Sequence, residues 1–462
     1  MKLIYFPLIL ITIVITLFGC KKLDTEHTSI YTYMPPPASP ISDAAPLSGN
    51  IKGTMLTGKT YTLGADVYIL PTDTLIIQPG VTIYVTNQAG IIVEGTFISI
   101  GTKTNPNWIT VKGIVKNDVP GISVASDPAY SGLWKGILAT ATCKLMVIKW
   151  THVEFTGAAY GSTVAAAVAL TATNNYSVIF QNFNGCLVLE DSWFYGSTND
   201  CVHVYNGKID IMRNTFEKAG PSDGDCLNVA GGTTGTMAYN MFIGTASNGQ
   251  RVSNKAIPVG APQTNIVMYN STFVNGGFLQ IQVGHGGSVS FEQGAKGMYY
   301  NNVVVNCKYG YRVGVNPTPD TANLSYGNNY QYADSLSVAN QFYPVGYLAK
   351  PQTTDIPVPS SFLPSNYTLG AAYNGSSVVQ QNNPQFANYP LPVTGGVPLD
   401  GIRSIGGFNF HLQAQSPLIG KGNTKIQPLV TVPVDPVYGA TEITPPGADL
   451  GCYQSNGTGN QH

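Results

Sequence analysis

Leu189-Glu-Asp-Ser-Trp-Phe194, Ile211-Met-Arg-Asn-Thr-Phe216, Met237-Ala-Tyr-Asn-Met-Phe242 and Val267-Met-Tyr-Asn-Ser-Thr-Phe273 are four versions of one phrase. Each is a short apolar strand, a polar residue that is usually Asn, and then an aromatic. Ile148-Lys-Trp-Thr-His-Val-Glu-Phe155 and Met298-Tyr-Tyr-Asn-Asn-Val-Val304 extend the series. The closing phenylalanines of the four central copies are 22, 26 and 31 residues apart. That is about one turn of a coil built from three short strands. A single turn cannot bury its own apolar face, so it must stack on the next. The repeat therefore predicts an all-β protein, a right-handed parallel β-helix. Asn at the repeated corner suits a left-handed bend, and stacked Asn side chains can hydrogen-bond up the coil.

Composition agrees. Gly 51 and Tyr 27 in a 462-residue chain, with 43% hydrophobic residues, fit many strands and many turns. Charged residues make up 10%, against ~25% in ordinary soluble proteins. The net charge of −1 gives no basic patch for nucleic acid. The cysteines at 143, 186, 201, 226, 307 and 452 lack Cys-x-x-Cys spacing and read mostly as small buried residues. Cys201 and Cys226 stack on adjacent turns, where either a disulfide or a free buried pair fits.

The chain opens on Met1-Lys2, an apolar run from Leu3 to Phe18, and Gly19-Cys20. This is the pattern of a secretory signal. The cysteine after the cut resembles the lipobox of bacterial lipoproteins, which implies lipidation of Cys20. A plain signal peptide with an incidental Cys20 is the alternative. The run is shorter than the ~20 residues a spanning helix needs. Lys21-Lys22 without a following Asp implies, by the same resemblance, anchoring in the outer membrane. Such a location leaves nucleotide chemistry without a supply. Residues 21–48, with Met34-Pro-Pro-Pro-Ala-Ser-Pro40, are expected to be an extended, mobile linker. The β-helix is expected over 49–345, with irregular excursions and a cap over 346–462.

Leu75-Ile-Ile-Gln-Pro-Gly-Val-Thr-Ile83, Val93-Glu-Gly-Thr-Phe97, Asn105-Pro-Asn-Trp-Ile109 and Gly132-Leu-Trp-Lys-Gly-Ile137 resemble the opening turns of secreted parallel β-helix proteins of the pectate-lyase-like superfamily. Asn383-Pro-Gln-Phe386, the segment from Phe410 to Ile419 and Ala448-Asp-Leu-Gly451 resemble their closing segments. The resemblance implies the fold. Lyases, hydrolases and adhesins share it, so it leaves function open.

Chemistry is expected where Asn199-Asp-Cys-Val-His-Val204 aligns with Gly224-Asp-Cys-Leu-Asn-Val229. Carrying the alignment to Ala256–Val259, Gln280–Val283 and Gly310–Val313 predicts an inward column of Val202, Leu227, Ile257, Ile281 and Tyr311. The predicted outward column is His203, Asn228, Pro258, Gln282 and Arg312. Such a polar stripe suits a polysaccharide. Asn228, Gln282, Lys255, His285 and Tyr205 are the candidate sugar contacts, with Arg251 and Glu292 nearby. Asp200 and Asp225, at ~5 Å across adjacent turns, fit a glycosidase pair with His203 and Arg312 beside them. With Asp223 they alternatively fit Ca²⁺. The plain reading is that each Asp caps a turn. Asp225-Cys226, Gly284-His285-Gly286 and Arg312 are also similar to segments of the polygalacturonase family, without its Asp-Asp doublet and without a Lys two places after the Arg. A lyase would need a basic side chain as proton acceptor, for which Lys208, Lys255 and Arg312 are candidates. Binding or scaffolding of polysaccharide leads among these readings, followed by a polysaccharide lyase or glycoside hydrolase, then an adhesin or structural surface protein.

Overall fold

The computed structural model describes residues 33–161, 175–393 and 396–462. The chain forms a right-handed parallel β-helix, with three short strands per turn. The first face is a 10-stranded parallel sheet running from Gly53–Met55 to Leu324–Gly327 in strict chain order. The second and third faces together form a 19-stranded sheet, because the long strand Thr60–Ile69 belongs to both. Among the described residues the only α-helix is the single turn Leu336–Ala339.

The repeated phenylalanines lie inside. Phe194, Phe216, Phe242 and Phe273 sit in register on the second face, with successive ring centroids 4.9, 5.2 and 4.7 Å apart and planes within 11°. Offset parallel rings one strand spacing apart keep every turn in step, since a slip would misplace all four.

The polar residue of the repeat does two jobs at two positions. The left-handed bend falls on Asp191, Arg213, Tyr239, Asn270 and Asn301. The ladder is built by the residue that follows: Ser192, Asn214, Asn240, Ser271, Asn302 and Asn329. The amide oxygen of Asn240 accepts from Asn214 N at 3.0 Å, and that of Asn302 accepts from Ser271 N at 2.9 Å. Asp355 closes the series by accepting from Asn329 N at 3.0 Å. Corner N–H groups that no strand can pair are satisfied in this way.

Residues 336–379 close the C-terminal end. Val338, Phe342, Phe362, Tyr373 and Val378 continue the interior core. The chain then turns back along the outside. Phe386, Tyr389, Phe410 and Leu418 cover the outward Met241, Ile243, Val274 and Val305 of the second face. Val432 and Ala440 cover Val147 and Val188 on the first. His462 ends a ring stack with Trp193, His152 and Trp108 at centroid spacings of 3.7, 4.1 and 3.6 Å.

The proline-rich stretch, expected to be part of a linker, touches the coil at its two ends. Ser39 O accepts from Thr54 N at 2.7 Å, Ile41 N donates to Thr54 O at 2.9 Å, and Tyr33 Oη donates to Thr74 Oγ1 at 3.1 Å. Pro at the open edge of the first turn leaves no ladder N–H exposed there, which suits an edge.

Candidate polar site on the third face

Along the third face the outward column reads Tyr68, Ile92, Leu138, Ile179, His203, Asn228, Arg251, Ser290, Arg312. Its first half is apolar and its second half polar. Arg251 and Ser290 therefore occupy the places that the sequence alignment gives to Pro258 and Gln282. The strands are Asn248–Ser253 and Gly287–Glu292, with Val252, Val289 and Phe291 pointing inward. Ala256 is left-handed and Pro258 lacks a ladder N–H, so 254–264 forms a loop. Gly277, Gly284, Gly286 and Gly287 all have positive φ and shape 275–286 into a second loop. Ile257 and Ile281 do not point inward: they are 40% and 89% exposed. Val202, Leu227 and Tyr311 are buried in the core.

Asp200 and Asp225 sit at the corner before the third face. Asp200 Oδ1 accepts from Asp225 N at 2.7 Å, and Oδ2 accepts from Asn228 Nδ2 at 3.1 Å and lies 2.6 Å from His203 Nδ1. One turn on, Asp225 Oδ1 accepts from Asn248 N at 2.8 Å and Asn248 Nδ2 at 2.7 Å. Both aspartates are 4% exposed. They are rungs of an Asx ladder that Asn248 continues. The sequence reading missed Asn248, although it stands 23 residues after Asp225 and opens the strand Asn248–Ser253. Burial, with the Asp200 carboxylate beside it, pushes the Asp225 carboxyl up to about 7.

His203 stacks on Tyr176 at 4.5 Å and lies 4.2 Å from Tyr205. Tyr176 is a second residue missed in the sequence; it stands two residues before the strand Val178–Phe180 that carries Ile179. Arg312 is 2% exposed rather than presented on the face. Its guanidinium bonds Asn248 Oδ1, the Gly284 carbonyl and, at 3.3 Å, Tyr347 Oη. It pins the 275–286 loop and offers no free base.

The open part of the site is Arg251 and Glu292. Arg251 Nε and Nη2 donate to Glu292 Oε2 at 3.2 and 3.0 Å, and Ser290 Oγ donates to Glu292 Oε1 at 2.7 Å. Burial disfavours the charge on each, yet each holds the other ionised: Glu292 stays below its ordinary value and Arg251 above. The loops at 254–264 and 275–286 rise from the two long edges of this face. They carry Lys255, Gln282 and His285, all exposed. Burial and the nearby Arg312 hold His285 below its ordinary value.

Asp223 is exposed and its Oδ1 accepts from Gly224 N and Gln280 Nε2, both at 3.0 Å. Among the described residues no group of three or more His, Cys, Asp or Glu side chains converges to hold a metal ion. The Ca²⁺ reading of Asp200, Asp223 and Asp225 therefore lacks its ligand cluster, because Asp200 and Asp225 face backbone N–H groups. Cys201 and Cys226 are free buried thiols. Lys208 lies on the first face, away from this stripe. Of the other repeat tyrosines, Tyr160, Tyr195, Tyr239 and Tyr299 are buried packing residues and Tyr300 is half-buried. Cys20 and the signal segment lie outside the described residues. Among the described residues no helix is long and apolar enough to cross a membrane.

Searches against protein-family models, curated proteins and solved structures find no match for this chain.

Proposed function

We propose that this protein binds polysaccharide along the polar half of its third face, as a lipid-anchored protein of the bacterial outer membrane. The observation that carries the reading is the half-open Arg251–Glu292 pair between two loops. Glu292 engages Nε and Nη2 of Arg251, and among the described residues Nη1 makes no hydrogen bond. A fixed guanidinium fork with one free edge suits a sugar hydroxyl or a uronate carboxylate. Asn228 and Ser290 stand beside it on the same column, and Lys255, Gln282 and His285 rim it. The anchor rests on the lipobox resemblance at Cys20, and the polysaccharide class on the resemblance to pectate-lyase-like β-helix proteins.

Binding ranks above catalysis because Asp200 and Asp225 are engaged by backbone N–H groups and buried. The second reading, a polysaccharide lyase or glycoside hydrolase, is favoured by one feature. A carboxyl near 7, that of Asp225, lies beside Asp200 and His203. An adhesin or structural role without a sugar site is the third class. One experiment separates them. The purified protein is incubated with acidic and neutral polysaccharides, and both retention and new reducing ends are measured. Retention without new ends on an acidic polymer is the expected result. New ends establish the enzyme, and neither retention nor cleavage on any polymer overturns the binding reading.

A further inference from the structure

A second site lies at the far end of the coil, where the last turn meets the cap. A cleft of about 570 Å³ opens there. That is the size of a small-molecule site. Its walls are Val313, Leu324, Leu348 and Leu369, with the rings of Tyr300 and Tyr326. It exists because the cap covers the core unevenly. Phe342, Tyr343 and Phe362 are buried in the core, while Leu324 and Leu348 are only partly buried against it.

Beside the cleft lies a narrow throat, and Tyr326 and Lys350 line both. The throat holds an unpaired donor. Tyr299 is 0% exposed with its hydroxyl beside Ser288, and Tyr311 is 7% exposed with no hydrogen-bond partner for its hydroxyl among the described residues. A buried hydroxyl in that state costs stability unless something accepts from it. The throat's one carboxylate is no acceptor for it. Asp355 already accepts from Asn329 N at 3.0 Å, Tyr343 Oη at 3.0 Å and Gln352 N at 3.3 Å. No Asp or Glu lines the outer cleft, and Lys350 makes no ion pair among the described residues.

Aliphatic walls, the buried Tyr311 hydroxyl and a lone ammonium suit an amphiphile with an anionic end. We propose that this cleft binds an acyl chain with a carboxylate or similar anionic head, the chain lying against Leu324, Leu348 and Leu369 and the head at Lys350. The site is separate from the polar stripe of the third face and does not depend on the polysaccharide reading.

Such a head has two sources, a free fatty acid or an anionic lipid at a membrane surface. The test titrates the purified protein calorimetrically with decanoate below its micelle concentration, with decanol as the neutral control. A parallel arm measures co-sedimentation with vesicles of phosphatidylcholine and phosphatidylglycerol. Saturable decanoate binding is expected, weakened about tenfold by Lys350→Met with decanol unaffected. Leu369→Trp, on an exposed cap loop, is expected to abolish it, as is Leu348→Trp. Decanoate binding without vesicle retention assigns the free acid. Retention on vesicles that Leu369→Trp abolishes assigns a membrane lipid. Absence of both, or decanoate binding unchanged in both tryptophan variants, overturns the proposal. Retention on the acidic polysaccharide is expected to be unchanged in Leu369→Trp, which keeps the two sites distinguishable.

Discussion

Asp200 connects three neighbours at once: one oxygen takes the backbone N–H of Asp225, and the other lies 2.6 Å from the imidazole of His203 and 3.1 Å from the amide of Asn228. This is the geometry of a strut. Asp200→Ala is expected to lower stability by ~1–3 kcal/mol, because it leaves the buried Asp225 N–H unpaired. Asp200→Asn, which keeps an acceptor, is expected to restore most of the loss. Chemical denaturation of the three proteins tests this, and an unchanged midpoint in Asp200→Ala removes the strut.

Asp225 gives the protein a dependence on pH. Its folded value is about 7, raised from 3.8, first by burial and then by Asp200, against Arg251 and Asn248. The stability it confers is fully present below pH ~4 and is lost as pH rises through about 7. Asp225→Asn keeps the acceptor for Asn248 and is expected to flatten the pH profile between about 4 and 7. Thermal melts across that range are the measurement.

A second buried acid lies under the returning C-terminal segment. Asp210 on the first face is 0% exposed, and its carboxyl lies against that of Glu190, with which it shares a hydrogen bond when protonated. Burial, then Glu190, pushes its carboxyl well above the ordinary range against Arg213 and Lys149, while Asp191 pairs with Arg213 at 2.8 Å. Thr441 N caps Glu190 at 3.0 Å, and Lys149 holds Thr441 Oγ1 at 2.9 Å. The sign matches that of Asp225: stability declines as pH rises toward the folded value. Asp210→Asn is expected to melt higher than the parent above pH 7. A lower melting temperature there contradicts the assignment.

Asn240 accepts from both the backbone and the side chain of Asn214, at 3.0 and 3.1 Å. Asn240→Ala is expected to cost about 1–3 kcal/mol by orphaning a buried N–H. Asn240→Ser is expected to cost less, since Ser192 and Ser271 hold equivalent rungs. Urea midpoints of the two variants decide it.

Arg251→Ala is expected to reduce retention on an acidic polysaccharide about tenfold, and Lys255→Ala less, because Lys255 stands free on a loop. The Arg251 effect is expected to shrink at 0.5 M salt, where surface charge is screened. Equal retention of Arg251→Ala and the parent at low salt places the sugar elsewhere.

Much of the fold could be read in the sequence because its repeats are physical necessities. Phe194, Phe216, Phe242 and Phe273 must stack, and the corner Asn and Ser must satisfy N–H groups, so both leave a period in the text. The left-handed bend was harder to place. It falls one residue before the laddered Asn, on side chains as different as Arg213 and Tyr239. The site was less legible. Ala256-Ile-Pro-Val259 and Gln280-Ile-Gln-Val283 alternate like strands, yet Val259 and Val283 are 102% and 90% exposed on loops. Alternation records side-chain chemistry, and burial depends on where glycine and proline let the chain leave the ladder. Arg312 shows the same limit: its position on the column was correct, but the loop that covers it comes from residues 275–286.

The segment that runs back along the second face has a consequence for synthesis. Coils of this kind can assemble progressively as the nascent chain emerges, each turn templating the next. Here Met241, Ile243, Val274 and Val305 emerge pointing outward, and their cover, Phe386 to Leu418, comes more than a hundred residues later than most of them. Until then the growing solenoid carries a sticky flank that invites misassembly. A ribosome that stalls before residue 386 would release a chain with a complete interior and an unprotected side, a natural client for a holdase chaperone.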